Sequence, residues 1–243
     1  MVGMQTPVVQ VLNLHKSYRR GTTLTPVLRG IDMNIQSGEC LFLVGPSGCG
    51  KSTLLSVLGC ILTPDKGDVS LFGEDIHTLS EADRTRLRRH RIGFVFQRFH
   101  LIRGLTAYDN VLVPLRLQGL GGRKARTRVL DLLETVGLAD HVHADPENLS
   151  AGQSQRVAFA RALVSDPDLI LADEPTASLD DASGQDAMTL LRKLIKEHDK
   201  TAVVVTHDAR IFRYADRICA MHDGVIEGQN NLPSSHRKRN AEP

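Results

Sequence analysis

Tryptophan is absent from the chain, and aromatic residues make up only 4% of its 243 residues. Surfaces that stack nucleobases need aromatic side chains, so this shortage argues against a protein that binds single-stranded nucleic acid. A strong charge excess is missing too, since the formal net charge is only +2. Proteins whose affinity comes from neutralising phosphates are clearly basic. We therefore expect no nucleic-acid partner.

Long apolar runs are also missing. The longest, such as residues 40–44 and 54–62, fall far short of the roughly 20 residues of a membrane-spanning helix. Residues 1–7 show neither a charged segment nor an apolar core, so no signal peptide is expected. The four cysteines have neither metal-ligand spacing nor a disulfide framework, and they favour a reducing cytoplasm: Cys40, Cys49, Cys60 and Cys219.

The chain does contain 41% hydrophobic residues, enough for one large α/β domain or two small ones. Short apolar runs at 40–44, 169–172 and 202–205 are typical of strands buried on both faces. Apolar residues spaced by three and four at 129–136 and 187–195 predict amphipathic helices, and a further helix is expected at 153–163. Alternating residues at 68–72 predict a strand. Strands and helices alternate towards both ends around a helical stretch, which predicts a mostly parallel sheet with a helical insertion.

A glycine-rich segment at 45–52, GPSGCGKS, matches the pattern G-x-x-x-x-G-K-[ST] in full, between a predicted strand and a predicted helix. Its backbone N–H groups and the helix N-terminus would hold phosphate oxygens. Lys51 would reach the β- and γ-phosphates, and the Ser52 hydroxyl would ligate Mg²⁺. The alternative is a glycine-rich turn with a chance lysine. The predicted ATP-binding residues are Gly45, Pro46, Ser47, Gly48, Cys49, Gly50, Lys51, Ser52 and Thr53.

The apolar run at 169–172 ends in two acids, Asp173 and Glu174. A carboxylate where a strand ends can hold the Mg²⁺ shell, which is the role predicted for Asp173. Glu174 is placed to orient and deprotonate an attacking water molecule. The structural alternative is a pair of surface or helix-capping acids, which are common at strand ends.

Residues 149–153, LSAGQ, followed by 154–157 and 161–163, resemble the signature motif of the ABC family, whose usual form has Gly where this chain has Ala151. Alanine adds only a methyl group, so the exchange is tolerated if that position keeps a negative φ. The resemblance implies that the signature binds ATP of a partner subunit through Ser150, Ala151, Gly152 and Gln153.

Four further positions fit the ABC pattern. Gln97 resembles the glutamine that ligates Mg²⁺ and links chemistry to the helical region, and His207 resembles the histidine that contacts the γ-phosphate. Asp180 lies in a segment, 178–180, that resembles the D-loop, and Tyr18 lies where the family stacks an aromatic ring on adenine. The segments 58–60, 92–111 and 171–180 look like the lipoprotein-release and macrolide-export ATPases.

The resemblance implies an α/β fold: a P-loop NTPase core with a mostly parallel sheet, an N-terminal antiparallel β region and a helical insertion. The ATP-binding domain would span residues 1–230, with a helical subdomain at about 98–165. Residues 231–243 are polar and are expected to form a disordered tail. A run of arginines at 84–91 is interpreted as a solvated helical face rather than a phosphate-binding surface.

The implied activity is ATP hydrolysis by a subunit of an ABC transporter, which drives export or extraction of a substrate through a separate membrane permease. The implied cofactors are ATP and Mg²⁺, and the catalytic residues are Glu174, His207, Gln97 and Lys51. Two copies, or this chain and a similar ATPase subunit, would sandwich ATP, and the permease would hold them at the cytoplasmic face of the membrane. The family also places a permease-binding groove at 99–105.

Two rival interpretations remain. A soluble ABC ATPase acting on the ribosome or DNA would usually carry a second fused ATPase domain, a long coiled coil or a cysteine-based zinc module. The chain has none of these patterns. A P-loop kinase or GTPase would leave the LSAGQ segment and His207 unexplained.

Overall fold

A computed structural model of the chain describes residues 7–231. Its strands are β1 (Val9–Arg20), β2 (Thr23–Ile35), β3 (Cys40–Val44), β4 (Lys66–Leu71), β5 (Glu74–Asp75), β6 (Ile92–Val95), β7 (Leu169–Asp173), β8 (Thr201–Thr206), β9 (Arg217–His222) and β10 (Val225–Asn231). Its α-helices are α1 (Lys51–Leu58), α2 (Glu81–Arg91), α3 (Ala107–Leu117), α4 (Gly122–Thr135), α5 (Ala151–Leu163) and α6 (Asp181–Glu197). Asn231, where the tail was expected to begin, is the last residue of β10, and the rest of that expectation lies outside the described residues.

The larger sheet has the strand order β10-β9-β3-β8-β7-β6, and its pairings are parallel except for the antiparallel hairpin of β9 and β10. Alternate residues of its strands enter two different cores. Leu41 and Leu43 of β3 pack in one core with α1, and Phe42 packs in the other with α3, α5 and α6. Both faces of the sheet are therefore covered, which is why its central strands read as continuous apolar runs.

The smaller sheet is antiparallel, with the order β2-β1-β4-β5. Val9, Val11 and Leu14 of β1 are buried, and they join the core that contains α1. The two sheets confirm the predicted fold class of a mostly parallel sheet with an N-terminal antiparallel region.

Helices α3, α4 and α5 lie between β6 and β7 and pack on one face of the parallel sheet. This arrangement is the helical insertion predicted from the sequence. The division of the chain into a domain at 1–230 with a subdomain at about 98–165 stays a prediction. Within residues 7–231, no helix combines the length and apolar character needed to cross a bilayer.

The arginine-rich segment forms α2, and Leu87 is buried on its inner side. Two arginines of α2 bond to residues outside the helix. Arg88 donates to the carbonyl oxygen of Cys60 at 2.5 Å, and Arg91 pairs with Asp168 at 2.6 Å. The helix is therefore held to the turn after α1 by a hydrogen bond and to the residue before β7 by an ion pair, as well as through Leu87.

All four cysteines are buried and unbridged, as the sequence indicated. Burial raises the pKa of the Cys40 thiol to about 12 and that of Cys60 to about 11. These thiols therefore stay protonated at neutral pH and act as small apolar side chains.

Candidate functional site

Four parallel strands end at the same edge of the larger sheet, and each is followed by a predicted site residue. The phosphate loop follows β3, His207 follows β8, Glu174 follows β7 and Gln97 lies two residues beyond β6. The carboxyl edge of a parallel sheet is where open α/β proteins bind their ligands. Side chains far apart in the sequence therefore meet there because the strands run in one direction.

The phosphate loop curls around the ammonium group of Lys51. Its Nζ donates to the carbonyl oxygens of Gly45 at 2.8 Å and Pro46 at 2.9 Å, and only 7% of the residue is exposed. Gly45 has φ 154°, and a Cβ at this position would lie 2.1 Å from the carbonyl oxygen of Met221. The loop therefore needs glycine because the chain passes directly against β9.

The turn between β9 and β10 supports the phosphate loop from below. Gly224 N donates to Cys49 O at 3.0 Å, and Arg29 N donates to Gly224 O at 2.8 Å. Neither Met221 nor Gly224 was predicted as part of the site. Both act through backbone atoms about 175 residues from the loop, and no local sequence pattern signals such a contact.

Ser52 and Asp173, both predicted as Mg²⁺ ligands, lie together, with Ser52 Oγ donating to Asp173 Oδ1 at 3.2 Å. Burial raises the pKa of Asp173, and the negative charge of Glu174 adds to this, whereas Ser52 and Lys51 act against it. A cation at this point would favour the ionised carboxylate. A hydroxyl and a carboxylate oxygen are ligands that Mg²⁺ prefers, with phosphate oxygens and water completing its shell, so the residues present fit the ion.

Glu174 and His207 form a hydrogen-bonded pair across adjacent strand ends, with His207 Nδ1 2.7 Å from Glu174 Oε1. Glu174 has a left-handed backbone, φ 47°, and its N–H donates to Val205 O at 2.9 Å. Its side chain is 13% exposed, whereas that of His207 is 67% exposed. Because only Oε1 bonds to His207, the second carboxylate oxygen can accept a proton.

Tyr18 lies near the end of β1, beside the first turn of α1. Its hydroxyl is 3.5 Å from Thr53 Oγ1, and 44% of the residue is exposed. The ring therefore offers a face next to the phosphate loop, as stacking on adenine requires.

The signature residues start α5, and Ser150 is its N-cap. Helix α5 begins at Ala151, two residues before the start inferred from the sequence. Ala151 has the negative φ of a helical residue, which is the condition set above for the exchange of glycine by alanine. Ser150 is exposed, and α5 packs on the face of the parallel sheet opposite α1, which follows the phosphate loop of the same chain.

Gln97 and Asp180, two other predicted positions, take part in hydrogen bonds, Gln97 to another segment and Asp180 to a helix end. Gln97 is exposed, and its backbone carbonyl accepts from Ser178 Oγ at 3.1 Å, so the segment after β6 touches the segment before α6. Asp180 caps α6 by accepting from Ser183 N at 2.9 Å. Backbone hydrogen bonds of this kind lower the pKa of Asp180.

Arg161 joins the last turn of α5 to the segment that follows Gln97. Its guanidinium donates to Phe99 O at 2.5 Å and to His100 O at 2.6 Å, and both acceptor residues have left-handed backbones. Burial lowers the pKa of Arg161. The sequence had placed Arg161 in the extended signature but gave it no role.

The parallel sheet, the glycine-rich loop around Lys51 and the acidic strand end define a P-loop nucleotide-binding protein. Residues 28–177 match the family model described as ABC transporter. The lipoprotein-releasing system ATP-binding protein LolD 2 of Caulobacter vibrioides is 42% identical over 93% of this chain and 99% of its own length. The chain therefore belongs to the ABC transporter family of ATP-binding proteins.

Two further comparisons place it within the family. The macrolide export ATP-binding/permease protein MacB of Salmonella choleraesuis is 42% identical over 96% of this chain, but the match spans only 36% of that longer protein. The dimeric structure of the MJ0796 cassette of Methanocaldococcus jannaschii, bound to ADP and Pi, has a TM-score of 0.85 at 41% identity and covers 92% of this chain and 98% of that one. The predicted subgroup is confirmed.

Proposed function

We propose that this chain binds and hydrolyses ATP as the energy-supplying subunit of an ABC transporter. The proposal rests above all on the Glu174–His207 pair, which lies beside the phosphate loop and the Ser52–Asp173 contact at one sheet edge. A kinase or GTPase would not need this pair together with an LSAGQ segment. The relative MJ0796, whose cassette structure holds ADP and Pi, is consistent with hydrolysis.

The chemistry proposed is in-line attack of water on the γ-phosphoryl group. Glu174 would accept a proton from the water through Oε2, while His207 would hold Oε1 and face the γ-phosphate. Lys51 would exchange its bonds to loop carbonyls for bonds to phosphate oxygens. Mg²⁺ held by Ser52, Asp173 and Gln97 would neutralise charge on the β- and γ-phosphates.

We propose a head-to-tail pair of subunits because the signature and the phosphate loop occupy separate places on one chain. Ser150 and the first turn of α5 would contact the ATP bound by the partner's phosphate loop, and Asp180 would lie near that interface. The partner would be a second copy or a similar ATPase subunit. Two solved structures of the relative MJ0796 are dimeric, which is consistent with this arrangement.

A separate membrane permease is proposed as the second partner, since one relative is named for ATP binding in lipoprotein release and another carries both ATP-binding and permease parts. This pairing would place the chain at the cytoplasmic face of the membrane. The groove would lie at 99–105, where Ile102 is 45% exposed and Phe99 is partly buried. Phe94 and Phe96 stack on each other, and His100 rather than Phe99 extends the stack.

The central test is the Glu174→Gln variant. We expect it to bind ATP and lose at least about 100-fold in turnover, because a positioned general base contributes about 10²–10⁴-fold. The variant should also accumulate as an ATP-bound dimer in light scattering. Glu134→Gln, an exposed glutamate on α4, is the matched control and should keep normal turnover. Wild-type turnover in Glu174→Gln would exclude Glu174 as the base.

A capture experiment tests the permease. Tagged Glu174→Gln would be incubated with ATP and detergent-solubilised host membranes, and co-purifying chains identified by mass spectrometry. A membrane protein with few transmembrane helices and a large extracytoplasmic domain is expected, and Phe99→Ala in the same background should reduce its recovery while ATP binding is unchanged. Recovery of ribosomes or DNA instead would favour the soluble alternative.

A further inference from the structure

The turn that presents the signature is held by a reciprocal pair of hydrogen bonds. Ser150 Oγ accepts from Gln153 N at 3.2 Å, and Ser150 N donates to Gln153 Oε1 at 2.9 Å. This capping box satisfies two backbone donors at the start of α5. It also fixes the Gln153 amide, since a backbone N–H can only donate and must face the amide oxygen.

The other end of the Gln153 amide contacts His141. Gln153 Nε2 lies 2.9 Å from His141 Nε2. An amide nitrogen can only donate, so His141 Nε2 must accept, and its ring proton then belongs on Nδ1. The network therefore specifies the tautomer of His141 as well as the orientation of Gln153.

His141 is itself fixed to the start of α3. It ends a short 3₁₀ turn, Ala139–His141. Two backbone carbonyl groups shortly after it accept hydrogen bonds from N–H groups in the first turn of α3. Val142 O accepts from Tyr108 N at 2.9 Å, and Ala144 O accepts from Ala107 N at 2.9 Å. A displacement of α3 would therefore move His141 with it.

The same turn of α3 is tied to the segment at 99–105. Asn110 is fully buried, and its side chain accepts from Ile102 N at 2.7 Å and donates to Leu105 O at 2.9 Å. Ala144 N in turn donates to His141 O at 3.0 Å, so a series of hydrogen bonds runs from Ile102 through Asn110, α3 and Ala144 to His141, Gln153 and Ser150. Such contiguous networks are physically able to carry coupling between sites.

We propose that His141 is a positioning residue that holds the signature turn in register with α3 and with the segment at 99–105. Loss of its acceptor would free the Gln153 amide and loosen the Ser150 cap. ATP binding at the chain's own phosphate loop would not change, because that loop lies elsewhere. The functional part of this inference rests on the proposed dimeric ATPase, whereas the structural part does not.

Three variants distinguish the effect of the His141–Gln153 hydrogen bond from the effect of the size of the histidine ring. His141→Phe keeps a ring and removes the acceptor, whereas His141→Gln keeps an acceptor oxygen at similar reach. His143→Phe, which changes an exposed histidine two residues away, is the control. A side-chain hydrogen bond contributes a net free energy that corresponds to about a five- to tenfold change in an equilibrium.

The first measurement is hydrogen–deuterium exchange of residues 149–154 in the full chain without nucleotide. We expect His141→Phe to speed exchange of the Ser150 and Gln153 amides about five- to tenfold, with His141→Gln and His143→Phe close to wild type. Unchanged exchange in His141→Phe would overturn the proposal without reference to ATP hydrolysis.

The second measurement is ATP-driven dimerisation in the Glu174→Gln background, together with steady-state kinetics in the wild-type background. His141→Phe should weaken dimerisation and lower kcat about five- to tenfold while ATP affinity of the monomer stays the same, and His141→Gln should restore both. Normal dimerisation of His141→Phe would refute the positioning role. If Glu174→Gln itself fails to dimerise, the proposed function is wrong, and the exchange result alone decides whether His141 holds the turn.

Discussion

The two edges of the parallel sheet use charged residues in opposite ways. At the amino edge, acids and bases pair with each other: Arg217 with Glu39, Arg192 with Asp216, Lys200 with Asp166 and Arg91 with Asp168. At the carboxyl edge, Lys51 bonds to backbone carbonyls and Asp173 to a hydroxyl group. The charges of Lys51 and Asp173 therefore remain available to a ligand. The residues predicted to hold phosphate and Mg²⁺ thus bond to uncharged groups, whereas the amino edge pairs its charges; the Glu174–His207 pair is the exception at the carboxyl edge, and it is the pair assigned to the chemistry.

The largest effect on ATP binding at the carboxyl edge is expected from Gly45→Ala. The added Cβ would meet Met221 O at 2.1 Å, so the loop would have to leave its place against β9. We expect ATP affinity to fall at least about 100-fold, equivalent to roughly 3 kcal/mol. Equilibrium binding of a fluorescent ATP analogue measures the effect.

Gly73→Ala is the matched control for that clash. Gly73 also has a positive φ, 83°, but no atom lies within 4 Å of its added Cβ. The control should lose about 1 kcal/mol of stability through backbone strain and none of its ATP affinity. Equal losses of affinity in the two variants would mean that backbone strain, and not contact with β9, explains the glycine.

Ser150→Ala examines the part of the site that lies away from the sheet edge. The variant removes the N-cap of α5, which costs about 0.5–2 kcal/mol, and also removes the hydroxyl proposed to face the partner's ATP. Turnover should fall about tenfold or more, because it needs both the cap and the hydroxyl, while monomeric ATP affinity stays unchanged.

Ser80→Ala controls for the loss of a cap. Ser80 caps α2 in the same way, accepting from Asp83 N at 3.1 Å. This variant should lose similar stability in urea unfolding and retain full turnover. A drop in turnover as large as that of Ser150→Ala would show that loss of a helix cap alone accounts for the effect.

Sequence reasoning located most of the carboxyl edge, because each residue there follows an apolar strand and belongs to a local motif. It was less accurate where contacts between distant segments determine the local structure. The strand predicted at 68–72 is observed as Lys66–Leu71, and Phe72 has a left-handed φ of 55° in the turn to β5. The support that Met221, Gly224 and His141 give to the site could not be predicted, since each contact joins distant segments.

The smallest effect is expected at the amino edge, from Asp216→Asn. Asp216 accepts from the Cys40 N–H at 2.9 Å and pairs with Arg192. Burial raises its pKa, but the hydrogen bonds from Arg192 and Cys40 outweigh this and lower the pKa overall. The carboxylate is partly exposed, so the screened contribution to unfolding free energy is about 1 kcal/mol.

The pH dependence follows from that lowered pKa. The contribution is fully present above the unfolded-state pKa of about 3.9 and is lost as pH falls through the folded-state pKa. Urea unfolding should therefore show a constant gap between wild type and Asp216→Asn from pH 7 to pH 5, which narrows below about pH 4. ATP turnover at neutral pH should be unaffected. A gap that is unchanged at low pH would indicate that Asp216 acts through packing rather than charge.

The hairpin beneath the phosphate loop limits how far the chain could be shortened. The family match ends at residue 177, before β8, β9 and β10. A fragment cut to the matched residues would keep the loop's own sequence and lose the Met221 carbonyl and Gly224 amide that shape it. The smallest fragment able to form a working phosphate loop therefore includes the β9–β10 turn. Substitutions in that turn are limited by the need to keep its contacts with the phosphate loop at 45–52.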